Sequence, residues 1–287
     1  MLKKLQKVYQ YTLIGFGIFL ATAFSCAKGP VNDSAVIVAS IAPIADIAQN
    51  IAGNSINTIS AVPFNANPHT FEPDPSTVKS IQNAKLFIGV HPEFDGWISR
   101  MVSVKGKIYF LSDMVSGDNP HVWLSVKNAR RIAPAIRDML AAQFPEKAEM
   151  FSENFAAYDK KLSALDGRIA TMFSNVKHKK FIQWHPAWNY FAADYGLDIA
   201  GSIESGHGDA PSIKSFRDLK ARAIKDGIKI VVIDYYASSQ TAEAFVREIG
   251  GKEVRLDGIG NPQHPDKAHY LALMEYNARV LAQALSE

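Results

Sequence analysis

Eight histidines punctuate the 287-residue chain, and three of them keep similar local company. His69 lies in Asn67-Pro68-His69-Thr70-Phe71-Glu72-Pro73, His121 in Asn119-Pro120-His121-Val122-Trp123-Leu124, and His185 in Gln183-Trp184-His185-Pro186-Ala187-Trp188. Each adjoins a proline where an extended run gives way to a loop or helix. Proline narrows the backbone freedom of its neighbours, so less entropy is lost when the ring is fixed in one orientation. Imidazoles converging from separate loops form a donor set suited to zinc or another borderline divalent ion. A single loop histidine is more often a surface side chain or a cap; the argument rests on three in matching surroundings. His91, His178, His264 and His269 lack that context and read as structural or exposed, and His207, between two glycines, reads as a surface residue with an auxiliary-ligand alternative.

The elements that must position these residues alternate in type. Extended runs are expected at Ala35–Ile41, Ile56–Val62, Lys85–Val90 and Lys107–Leu111, with helices at Ile44–Ile51, Thr77–Asn83, Phe94–Val102 and Val126–Gln143. Between Pro145 and about Val176, Phe151, Phe155, Tyr158, Leu162, Leu165, Ile169 and Met172 recur at three- and four-residue steps, the mark of one long amphipathic helix. Gly167 lies inside it, at a cost of about 1 kcal/mol if the helix runs through. The alternation then resumes: Lys180–Trp184, Asp198–Ile203, Ile228–Tyr235 and Glu253–Leu256 extended; Ile213–Lys225, Thr241–Ile249 and Pro265–Leu285 helical.

This pattern predicts an α/β protein of two lobes, each a mostly parallel sheet flanked by helices, joined by one long rigid helix. The expected boundaries are 35–143 for the first lobe, 144–178 for the connecting helix and 179–287 for the second lobe. Parallel sheets bind ligands beyond the carboxyl ends of their strands, which places the site in the cleft between the lobes.

The first 26 residues carry Lys3, Lys4 and Lys7, then an apolar run from Tyr11 to Phe24, then Ser25-Cys26. A basic segment, a short apolar stretch and small residues at its end read as a secretory signal, too short to span a bilayer comfortably. Cys26 is the chain's single cysteine, so no intrachain disulfide forms; its position suggests the acylated residue of a lipoprotein, followed by a polar tether at 27–34. Without the signal, basic and acidic residues balance, which argues against nucleic acid as a partner.

Taken in order, these motifs resemble the substrate-binding proteins of zinc and manganese ABC importers, the cluster A-I metal-binding lipoproteins. The likeness rests on His69-Thr-Phe-Glu-Pro73 with Pro75-Ser76, on Asn119-Pro-His-Val-Trp-Leu124, and on His185-Pro-Ala-Trp-Asn-Tyr-Phe191 with Tyr195-Gly-Leu197. Leu256-Asp-Gly-Ile-Gly260, followed by Tyr270 to Asn277, extends it to nearly the whole mature chain.

The resemblance implies a metal site of His69, His121, His185 and Asp257, a cargo of Zn²⁺ with Mn²⁺ or Fe²⁺ as alternatives, and delivery to an ABC permease by an exported, lipid-anchored, monomeric protein. Histidine at 185, where manganese-type relatives often carry glutamate, favours zinc. Gly258 replaces the family's usual proline, and the chain lacks the histidine- and acid-rich insertion between the first two ligands found in many zinc importers. Asp234, where relatives commonly have glutamate, is a candidate to orient a ligating histidine through its second ring nitrogen; Glu204, in the divergent segment 201–211, is a further auxiliary candidate. Two other functions remain open from sequence: an adhesin, and a zinc hydrolase, for which Glu72 is the nearest acid to His69 although no His-Glu-x-x-His motif is present.

Overall fold

The computed structural model describes residues 36–64, 66–98, 107–204, 212–235 and 240–287. The signal, Cys26, the tether, residues 99–102 of the helix expected at 94–102 and His207 lie outside the described residues. No described helix is long and apolar enough to cross a membrane.

Two four-stranded parallel sheets form the frame. The first takes β1 (Val36–Ala39), β2 (Asn57–Ser60), β3 (Leu86–Gly89) and β4 (Lys107–Phe110) in the order β2-β1-β3-β4. The second takes β5 (Lys180–Gln183), β6 (Asp198–Ser202), β7 (Ile230–Asp234) and β8 (Lys252–Leu256) in the order β6-β5-β7-β8. Strands β3 and β7 are buried along their whole length, Leu-Phe-Ile-Gly and Ile-Val-Val-Ile-Asp. Such continuous apolar runs belong to parallel sheets covered on both faces. Both sheets reverse strand order between their two central strands, so each has a switch point at its carboxyl edge.

Helices α1 (Ala42–Ala52), α2 (Pro75–Asn83), α3 (Val126–Gln143) and α4 (Ala148–Ser174) belong to or follow the first sheet; α5 (Asn189–Asp194), α6 (Ile213–Lys225), α7 (Gln240–Glu248) and α8 (Tyr270–Ser286) belong to the second. Asp74 and Ser125 cap α2 and α3 by accepting the Thr77 and Asn128 amides. The 27-residue α4 links the lobes and buries Phe151, Tyr158, Leu162, Leu165, Ile169 and Phe173 in a core shared with α1, α3 and α8. Gly167 stays inside it, and Pro134 is likewise accommodated inside α3, whose inner face of Ala129, Ile132, Ala133, Ile136 and Leu140 is buried.

Two elements differ from expectation. The last helix does not run from Pro265: a single 3-10 turn, Pro265–Lys267, is followed by His269 in extended conformation before α8 begins at Tyr270. Asp46 of α1 accounts for the break, since its Oδ2 accepts the Tyr270 amide at 2.9 Å and its Oδ1 lies 3.0 Å from His269 Nδ1. A carboxylate there satisfies an amide at the helix N-terminus that a continued helix would have bonded internally. The short helix α5 was not anticipated, because six residues span too few turns for a 3.6-residue period to show.

Candidate metal centre

The groups of interest collect at the carboxyl ends of the strands. In the second sheet, His185 follows β5 by two residues, Glu204 follows β6 by two, Asp234 is the last residue of β7 and Asp257 is the first after β8. From the first lobe, His69 lies on a 3-10 turn (Pro68–Thr70) between β2 and α2, and His121 precedes another (Val122–Leu124) between β4 and α3. Both turns repeat Asn-Pro-His. Asn67 Oδ1 accepts the His69 amide at 3.0 Å, and Asn119 Oδ1 accepts the His121 amide at 2.9 Å. The asparagine closes the turn on its own histidine.

The three rings meet in the cleft. His69, His121 and His185 place their Nε2 atoms 3.1 Å apart in all three pairings. His121 and His185 are buried and His69 is partly so. Zinc–nitrogen bonds of about 2.05 Å at the tetrahedral angle would set ligand nitrogens about 3.3 Å apart. The triangle therefore has the size of one face of a zinc tetrahedron. Lone pairs that face one another across such a gap repel, and a cation between them turns the repulsion into attraction.

The far ring nitrogens are held. His121 Nδ1 is 2.8 Å from Asn119 Oδ1, and His185 Nδ1 is 3.2 Å from Glu204 Oε2. Both partners are acceptors, so each Nδ1 carries the proton and each Nε2 is left as an acceptor facing the centre. Asn119 also donates to Pro186 O at 2.7 Å, joining the His121 turn to the His185 turn. Glu204 is itself fixed by the Trp184 indole, which donates to Oε1 at 2.7 Å. The His69 ring rests edge-on against Phe94, with centroids 4.9 Å apart.

Asp257 stands apart from the triad. Among the described residues, the group whose ligand atoms all lie within 4.8 Å of one another consists of the three histidines. Asp257 Oδ1 accepts the amides of Ile259 and Gly260 at 3.1 and 2.8 Å, and its Oδ2 lies 3.4 Å from Lys267 Nζ. Its backbone is clamped by the buried Asn277, which accepts the Asp257 amide and donates to its carbonyl. Gly260 has φ +85°, and a Cβ there would come within 2.7 Å of the Lys267 carbonyl, so this loop requires glycine.

Asp234 is fully buried, which pushes its carboxyl up to about 6; the nearby charges of Glu204 and Asp257 add to that and His185 opposes it. Asp234 thus reaches His185 through its field, while the hydrogen bond to the second ring nitrogen comes from Glu204. Asn119 was missed by residue-by-residue reading, although the repeated Asn-Pro-His was visible. Lys267 was missed too, and a lone lysine in a polar stretch offers no signal.

Comparison with known proteins gives concordant results. A family profile described as "ZnuA: Zinc-uptake complex component A periplasmic" matches residues 37–284. The "Zinc-binding lipoprotein AdcA" of Streptococcus pneumoniae is 28% identical over 289 residues, covering 91% of this chain and 57% of that protein. The chain thus spans somewhat over half the length of that relative. The "High-affinity zinc uptake system protein ZnuA" of Bacillus subtilis is 26% identical and is covered to 94%, as is this chain. A crystal structure of a ZnuA deletion mutant with zinc bound superimposes with a TM-score of 0.79 at 26% identity, covering 88% of this chain and 99% of that one.

Proposed function

Since the chain belongs to the family of periplasmic zinc-uptake components, we propose that it captures Zn²⁺ outside the cytoplasm and delivers it to an ABC-type importer. The observation that carries this reading is the triangle of three Nε2 atoms with 3.1 Å sides, held in the cleft between the lobes. Imidazole nitrogens replace the water of the ion, and the carboxylates of Glu204, Asp234 and Asp257 draw a cation into the cleft. His69, His121 and His185 are the nitrogen ligands, and Asp257 is the fourth ligand once its carboxylate turns from Lys267. Three nitrogens and one oxygen suit tetrahedral zinc better than Mn²⁺ or Fe²⁺, which prefer more oxygen donors and higher coordination.

The role is that of a carrier, and no catalytic step is assigned to the site. Residues 35–143 and 179–287 act as lobes on either side of the 144–178 segment, and delivery shifts one lobe or one ligand loop against the other when the monomer docks on its permease. An acyl chain on Cys26 holds the protein at the membrane. The test is a zinc titration of metal-stripped protein, with competition by manganese. One equivalent of zinc is expected to bind, with His121→Ala weakening it at least a hundredfold; an unchanged affinity in that variant removes the assigned site.

A further inference from the structure

We propose that Lys267 is an internal counter-ion that occupies Asp257 in the metal-free protein and that the arriving metal ion must displace. The inference rests on the reading of Asp257 as the fourth ligand. The two side chains are only 5% and 6% exposed, so neither charge is cancelled by bulk water. An ammonium buried to this degree needs a partner. Here the partners are the Asp257 carboxylate at 3.4 Å and the faces of Tyr235 and Tyr276, whose centroids lie 3.8 and 4.6 Å from Nζ.

The lysine is built into the same loop as the aspartate. Its carbonyl accepts the Asn261 amide at 3.0 Å, and its amide donates to His264 O at 2.9 Å. The turn at Gly260 packs against that carbonyl, so the ammonium is held near the carboxylate by covalent and hydrogen-bonded geometry.

The contact is made to be parted. Charge-assisted hydrogen bonds between an ammonium and a carboxylate normally measure about 2.7–2.9 Å, and the 3.4 Å separation is well beyond that. When Asp257 swings to the triad, Lys267 keeps both tyrosine faces, an environment that retains part of the stabilisation of a desolvated cation. Metal-free protein therefore holds Asp257 in a satisfied resting position, and release of the ion restores it. Lys267 lowers metal affinity and eases unloading; it is a positioning residue for the fourth ligand.

Zinc dissociation constants measured by chelator competition on Lys267→Met, Lys267→Arg, Asp257→Ala and the Lys267→Met/Asp257→Ala double variant test this. Removing the competitor in Lys267→Met is expected to tighten binding about tenfold. Lys267→Arg, with a guanidinium that grips a carboxylate at two points, is expected to weaken it. In the Asp257→Ala background, Lys267→Met should change nothing. Equal or weaker binding by Lys267→Met, or tightening that persists without Asp257, overturns the proposal. If Lys267→Met does not fold, wild-type affinity in Lys267→Arg overturns it instead. His121→Ala, run alongside, fails independently: unchanged affinity there removes the metal site itself, whatever Lys267 does.

Discussion

The Trp123 indole donates its Nε1 proton to the carbonyl of Gly258 across 2.7 Å. Trp123 lies two residues beyond His121, and Gly258 follows Asp257, so this buried bond ties the His121 loop of one lobe to the Asp257 loop of the other. Tyr270 reinforces the tie by donating its hydroxyl to Trp123 O at 2.8 Å. Replacing Trp123 with Phe removes the donor and strands the Gly258 carbonyl, at an expected cost of about 1–3 kcal/mol in chemical denaturation. Zinc affinity should fall in the same variant, because the two loops lose their common register. A denaturation midpoint equal to wild type would show that the bond does not hold the lobes.

The groups behind the histidines should matter nearly as much as the histidines themselves. Glu204→Ala frees His185 Nδ1 and Asn119→Ala frees His121 Nδ1, and each is expected to weaken zinc binding by about 10- to 100-fold. Glu204→Gln retains an acceptor and should fall between wild type and Glu204→Ala. Calorimetric titration of the three variants checks the order; indifference to Asn119→Ala would mean that the tautomer is set elsewhere.

Acid should unload the site. Asp234, pushed up to about 6 by burial, is charged above that pH and attracts the cation, and it is neutralised as pH falls through 6. Imidazole must be deprotonated to ligate a metal, so protons also compete with zinc for the ring nitrogens. Both changes oppose binding at low pH, so zinc affinity should fall steeply from pH 7 to pH 5. Asp234→Asn should bind more weakly at pH 7.5 and show a shallower fall. Titrations across that range measure both slopes, and parallel slopes would exclude a contribution from Asp234.

Gly167 offers a gain in stability remote from the site. It lies within α4, and a Cβ there would meet nothing within 4 Å. Gly167→Ala restores helix propensity and narrows the unfolded ensemble, with an expected gain of about 0.5–1 kcal/mol and a Tm higher by about 2 °C. Zinc affinity should not change. A lower Tm would show that the helix needs glycine for a reason other than space.

Much of this protein was legible in one dimension because its signals are local. The three- and four-residue recurrence from Phe151 to Ile169 and the apolar run Ile230–Ile233 report burial directly, and from them follow two parallel sheets and a connecting helix. Proline beside each of His69, His121 and His185 marked loops able to hold a ring still. What the tertiary structure decided concerns contacts between residues far apart in the chain, whose energies leave no periodic trace. Asp46 breaks the last helix from 224 positions away, Asn119 joins two histidine turns, and Lys267 pairs with the carboxylate that the family resemblance assigned to the metal. Which donor faces which acceptor depends on how the chain closes on itself, and that is set by packing of the whole core.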